Sequence, residues 1–126
     1  MAATGFLNRV YVNTATTGTG TMTLGSAVSA NMLTALQAGG VDGTVYSYVI
    51  EEGADMEIGT GTLSGTGTTL TRTVLVSKIG GIVGATAMTL AGAAKVRIIA
   101  AAEDFAALLS VGHSAKLVTS QLLGGF

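Results

Sequence analysis

The chain contains no cysteine and a single histidine, His113. Without cysteine there is no disulfide framework and no thiolate metal site. One histidine rules out paired-imidazole metal sites and leaves little for histidine-based catalysis. Charge is scarce too: Asp, Glu, Lys and Arg make up 10% of the 126 residues, against roughly 25% in an average soluble domain. Six basic and seven acidic residues leave a net charge of −1. No polycationic surface is available to hold phosphates, so nucleic acid is not an expected partner. Long apolar runs are also missing. The longest, Ile79 to Ala94 between Lys78 and Lys95, has 16 residues including four glycines and two threonines. A spanning helix needs roughly 20. Met1 to Val10 lacks the basic-then-apolar order of a signal peptide. Neither a membrane span nor a cofactor is expected, and most enzyme classes are excluded.

What is present points to strands. Glycine and threonine number 19 each, about 30% of the chain together. Threonine is β-branched and suits a pleated strand, while glycine suits tight turns and sits badly inside helices. Mean hydropathy is high, at +0.61. A soluble monomer uses charge to stay apart from its neighbours. A chain this uncharged is expected to bury much of its outside against other subunits. The length allows one domain, burying roughly two-thirds of its unfolded surface.

Along the chain, Arg9 to Thr14 reads as a strand, and Thr21 to Leu24 alternates polar and apolar as a half-buried strand does. Ser29 is placed to cap a short helix over Ala30 to Ala38, with Met32, Leu33 and Leu36 on one face and Gly39-Gly40 as its stop. Thr44 to Glu51 is the clearest strand, apolar on both faces and therefore expected to be central. A turn at Glu52 to Asp55 returns the chain as Met56 to Thr62, a hairpin by spacing. Thr69 to Val76, Ala87 to Leu90 and Lys95 to Ala100 complete about seven strands. The expected architecture is all-β: one β-sandwich or jelly-roll-like domain over residues 1–102, with one short helix. From Glu103 on, glycine thins and leucines appear at spacings of three and four. Residues 103–126 therefore read as a helical or extended C-terminal arm, with Asp104 and Ser114 as candidate caps.

The middle of the chain resembles a module of tailed-bacteriophage virion proteins. Val45-Tyr46-Ser47-Tyr48-Val49-Ile50-Glu51-Glu52-Gly53 leads to Met56-Glu57-Ile58-Gly59-Thr60-Gly61-Thr62, and Thr69-Leu70-Thr71-Arg72-Thr73-Val74 follows. The upstream Thr17 to Gly25 fits the module's opening, so the likeness covers residues 9 to 101. Positions often aromatic in the module are Met56 and Leu63 here, and nothing after Ala102 has a counterpart. The resemblance implies a virion part, a capsid decoration or head-fibre protein, or else a tail-fibre or tail-tip subunit that binds host surface glycan. It also implies a homo-oligomer, three-fold, in contact with major capsid or tail proteins and assembled in the bacterial host cytoplasm.

Few residues suggest chemistry. Glu51, Glu52, Asp55 and Glu57 are the one concentration of charge. Calcium wants six or more oxygens, which this turn does not evidently supply, so an acidic hairpin rim is the preferred reading. Arg72 stands in a Thr/Val/Leu strand, and a charge there needs a partner. Glu57 or Glu51 is expected to meet it in a bidentate pair that locks strand register. His113 with Asp104, Ser110 and Ser114 holds the residue types of a triad but no nucleophile elbow. Gly18-Thr19-Gly20 and Gly59-Thr60-Gly61 lack the strand–loop–helix setting of a phosphate loop. They read as strands packed against another backbone. Tyr46 and Tyr48 share a core face, which disfavours a sugar-stacking platform with Tyr11. No catalytic residue and no metal ligand is assigned. Phe105, Leu108, Leu109, Leu117, Val118, Leu122 and Phe126 are the expected subunit contacts.

Overall fold

The computed structural model describes residues 2–107 and residue 109, and over these the fold is all-β. Ten strands follow one another: β1 (Tyr11–Thr14), β2 (Thr17–Gly18), β3 (Met22–Thr23), β4 (Val45–Glu52), β5 (Asp55–Ser64), β6 (Thr69–Leu70), β7 (Thr73–Ile79), β8 (Ile82–Gly84), β9 (Leu90–Ala91) and β10 (Ala94–Ile99). A short helix, α1, covers residues 102–107. Eight strands form one antiparallel sheet running β1-β10-β4-β5. There β5 divides its partners: its first half pairs β7, which pairs β8, and its end pairs β6, which pairs β3. A separate two-stranded ribbon joins β2 to β9.

The β4–β5 hairpin sets the register for everything else. Glu52 opposes Asp55 across the two-residue turn Gly53-Ala54, with Gly53 at φ 60°. That is the II′ pattern, whose twist matches the strands it joins. Side chains alternate from there. Tyr46, Tyr48 and Ile50 therefore share the inner face with Glu57, Gly59, Gly61 and Leu63. The sheet curls so that Met22, Leu24, Leu70, Met88 and Leu90 close over this face and Val12, Val96 and Ile98 extend it. Each fully buried side chain of this size contributes roughly 1.5–3 kcal/mol.

The Gly-Thr-Gly stretch is explained by what crosses it. A Cβ on Gly59 would lie 2.6 Å from the Tyr48 hydroxyl and collide with the Thr73 carbonyl, and one on Gly61 would collide with the Thr71 carbonyl. The backbone of residues 71–73 passes directly over these two positions, as expected for a strand kept free of side-chain bulk, whereas Gly18 and Gly20, expected to do the same, face open space. That crossing also breaks the single strand expected over Thr69 to Val76. It bends at Thr71-Arg72 into β6 and β7, and a register shift between Ile58 and Gly59 accompanies the bend.

Two other expectations change. Residues 30–38 form turns, not a helix. The Leu33 amide donates to Arg9 and its carbonyl accepts from Tyr11, so this backbone is spent on bridging to the first strand. Only one helical turn remains. Thr34 and Gln37 open it reciprocally, each side chain accepting the other's amide at 3.2 and 3.0 Å, which is a capping box. The strand expected over Ala87 to Leu90 keeps only Leu90, because the Met88 amide and carbonyl go to Glu57 and Arg72. The one described helix lies at 102–107, where Asp104 accepts the Ala101 amide at 2.8 Å.

Candidate functional site

Among the described residues the densest knot of side-chain hydrogen bonds joins Arg72 to the carboxylate of Glu57, which β5 turns inward beneath the Thr71-Arg72 bend. Glu57 is fully buried. The Arg72 guanidinium meets it with two nitrogens, Nη2 to Oε1 at 2.5 Å and Nε to Oε2 at 3.1 Å. The Tyr48 hydroxyl donates to Oε2 at 2.7 Å, and the Met88 amide donates to Oε1 at 2.8 Å. Arg72 spends its remaining donors on the carbonyls of Gly18 at 3.1 Å and Met88 at 2.8 Å, with Gly20 at 3.5 Å. One ion pair thereby ties β4, β5 and the bend to the segments that carry β2 and precede β9.

The electrostatics follow from burial. Burial pushes the Glu57 carboxyl up, but hydrogen bonds from Arg72, Tyr48 and the Met88 amide outweigh it and hold it below the usual carboxylate range. Burial and the adjacent Glu57 push the Tyr48 hydroxyl well above the usual tyrosine value. Burial alone lowers Arg72, and the Glu57 carboxylate more than restores it. All three groups keep their ordinary ionisation across neutral pH. A saturated carboxylate with no open face has no geometry for proton transfer. The node is a fastening.

Glu51, the other acid expected near Arg72, is elsewhere. The register places Glu51 opposite Met56 and Glu57 opposite Ile50, so the two acids lie on opposite faces of the hairpin. Glu51 pairs instead with Arg97 at 3.2 Å on the exposed face, and Arg97 stacks 3.7 Å above the Tyr11 ring. The rest of the acidic turn is separately committed. Glu52 accepts the Ala91 and Ala93 amides at 2.8 and 2.9 Å, fixing β9, and Asp55 accepts the Gly80 amide at 3.0 Å. Among the described residues no group of three or more metal-ligating side chains converges.

Asp104 does work that its sequence position does not advertise. Its Oδ2 accepts from Ser47 Oγ at 2.6 Å and the Ala101 amide at 2.8 Å, and its Oδ1 accepts the Ala3 amide at 2.8 Å. Burial raises this carboxyl, and those three donors bring it below the usual range. The first residues, α1 and the outer face of β4 are thus clamped at one point. The candidate triad partners Ser110, His113 and Ser114 lie outside the described residues. Tyr46 and Tyr48 are core residues, with the Tyr46 hydroxyl accepting the Val41 amide at 3.1 Å.

Apart from Glu103, whose Oε1 is buried without a partner among the described residues, the buried charges are bonded internally, and large apolar side chains reach the outside at two edges and singly at Leu36, Val41 and Leu75. Beside β1 and β10, a groove of about 440 Å³ is lined by Phe6, Leu7, Ile98, Ile99, Ala100 and Phe105, with Asn8 and Arg9 as its polar members. Phe105 is 57% exposed and Leu109 72%. Of the expected contact residues these two are described and exposed; Leu108, Leu117, Val118, Leu122 and Phe126 lie outside the described residues. At the opposite edge, the β7–β8 hairpin carries Ile82 at 75% and Val83 at 68% exposure. Sequence reasoning missed this second edge. Its signal was Gly80-Gly81 between Ile79 and Ile82-Val83, a two-residue hairpin turn. In comparisons with protein-family models, with curated proteins and with solved structures, nothing matches this chain.

Proposed function

We propose that this chain is a non-enzymatic structural protein of a bacteriophage virion, assembling with itself as a three-fold oligomer and with other virion proteins, and that it sits on the head as a decoration or head-fibre subunit. The observation that carries the reading is the placement of large apolar side chains outside a domain with so little charge. Phe6 and Phe105 at one edge and Ile82 and Val83 at the other are at least half exposed, as are Leu36, Val41 and Leu109. Exposed apolar clusters mark contact surfaces, and the described acids other than Glu103 are engaged in fastening strands and turns. The virion assignment is supported by the sequence likeness over residues 9 to 101. Its most recognisable stretch coincides with the β4–β5 hairpin and with the strand bent at Arg72 across Gly59 and Gly61.

The test is copy number per particle, by quantitative mass spectrometry of purified virions, together with sedimentation of the full chain. Hundreds of copies are expected for a head protein. A handful would move the protein to the tail tip, and binding to purified host surface polysaccharide would mark it as an adsorption subunit. A freely soluble single chain at about millimolar concentration, found in no particle, overturns the reading, since so uncharged a surface has little to hold copies apart.

A further inference from the structure

The β8 edge is short, three residues, but carries no other device that keeps an edge alone. Monomeric sheets blunt their outer strands with short length, charge, proline, bulges or cover. The first edge of this sheet is covered: β1 exchanges backbone hydrogen bonds with residues 26–28. Among the described residues no strand pairs the outer side of β8. Gly80 to Thr86 are all exposed and none is charged.

Register tells which backbone groups are free. Gly80 and Gly81, at φ 58° and 81°, form a two-residue turn, with Ile79 opposite Ile82. In such a hairpin the closing pair exchanges both hydrogen bonds and the next pair exchanges none. The next pair is Lys78 with Val83. The amide and carbonyl of Val83 therefore point away from β7, into solvent. The opposite side of the hairpin agrees: Lys78 faces Met56 of β5, its own hydrogen-bonding partner across that ladder.

We propose that β8 pairs antiparallel with β8 of a second copy about a two-fold axis at Val83. The two Val83 residues exchange two backbone hydrogen bonds. Ile82 then falls opposite the partner's Gly84, so the bulkiest side chain on each strand meets a residue with none. No charges oppose each other on the paired strands. The two Lys78 side chains stand three strand spacings apart, about 14 Å, beyond the screening length of roughly 8 Å. A three-residue edge falls well short of the roughly 1,200 Å² of a stable interface. It is a contact for copies already held at high local concentration, and in this respect it rests on the self-assembly reading. A two-fold contact added to a three-fold one closes a dihedral particle or extends into a lattice.

Because the chain has no cysteine, a single introduced thiol reports the register cleanly. Val83→Cys places two sulfur-bearing residues directly opposite, with Cα atoms about 5.5 Å apart, within disulfide reach. Ile82→Cys places them two residues out of register, roughly 8 Å apart and beyond it. Under oxidation of the full chain at about 1 mM, a concentration that populates even weak contacts, Val83→Cys is expected to give a cross-linked dimer several-fold faster than Ile82→Cys. Equal rates, or no dimer from Val83→Cys, overturn the proposal. Val83→Pro removes the outward amide and leaves the β7–β8 ladder its hydrogen bonds. It is expected to shift sedimentation toward the smaller species with the melting temperature unchanged. Val83→Lys is expected to do the same through charge, and association unaltered in both overturns the contact. The cross-link reports this contact alone, and the oligomer that remains in Val83→Pro reports the three-fold assembly.

Discussion

At the scale of single residues, the fold turns on a charge that cannot leave. Replacing Arg72 by alanine strands Glu57 in the core with only neutral donors. Removing one partner of a buried pair costs about 3–5 kcal/mol, whereas replacing both by apolar groups is often close to neutral. Arg72→Ala is therefore expected to lower the urea midpoint sharply. The double variant Arg72→Met with Glu57→Leu is expected to recover part of that loss, because no uncompensated charge remains. Equal midpoints for the two variants would show that Arg72 acts through its carbonyl contacts alone. Acid should act on the same site. Glu57 and Asp104 have folded values below the ordinary carboxylate range. The stability they contribute is complete above that range and is lost as pH falls through their folded values. A flat denaturation midpoint from about pH 5 to 8, declining below about pH 4, is expected. Asp104→Asn should make the acid limb shallower. Tyr48 acts in the other direction: raised when folded, it holds its contribution up to about pH 10 and loses it only above. That Arg72 needed an acid could be read from its apolar strand. Which acid it took depended on parity. The two-residue turn at Gly53-Ala54 puts Glu57 beside Tyr48 and sends Glu51 out to Arg97.

Among the elements, the legible parts were those whose pattern is local. The alternation of Thr44 to Glu51 and the spacing of its turn give β4 and β5 nearly to the residue. Residues 30–38 misled because their leucines repeat at helical spacing while the backbone at Leu33 is required by β1. Such a tertiary claim leaves no local trace, and propensity gives way to it. β8 is three residues long, too short for periodicity, and only its glycine turn marked it. Asp104 read as a helix cap; it lies inside α1, where it reaches back to the amide of Ala101 just before the helix, and its reach to Ala3 and Ser47 joins residues far apart in sequence. This has a practical consequence for trimming the C-terminus. A chain ending at Ala102 loses the clamp and leaves Ser47 and two amides without their acceptor, each costing roughly 1–3 kcal/mol when buried. A chain ending at Ala107 keeps it. The longer truncation product is expected to melt within a few degrees of the full chain but to sediment as a smaller species, if residues 108–126 supply subunit contacts. The chain ending at Ala102 is expected to melt markedly lower. Full-size oligomers from the chain ending at Ala107 would remove residues 108–126 from the contact surface.

For the whole molecule, the balance of charge decides how assembly responds to solvent. The net charge of −1 gives copies almost no mutual repulsion for salt to screen. The exposed groups at both edges are mainly apolar, with one cation at each, Arg9 and Lys78, and the outer-face ion pair of Glu51 with Arg97 is satisfied within one copy. Association through ion pairs weakens as ionic strength rises, because exposed charges more than a Debye length apart cease to feel each other. Association through apolar surface does not weaken, and excluded salts such as sulfate strengthen it. Raising sodium chloride from low to molar concentration is therefore expected to leave the sedimentation profile unchanged. Ammonium sulfate below the precipitation point is expected to shift the profile toward larger species. Cooling supplies an independent check, since burial of apolar surface weakens toward low temperature and the oligomer should partly dissociate near freezing. Dissociation by sodium chloride, with no response to cooling, would mean that charges hold the copies together. The apolar edges at Phe105 and Val83 would then have to be something other than contact surfaces.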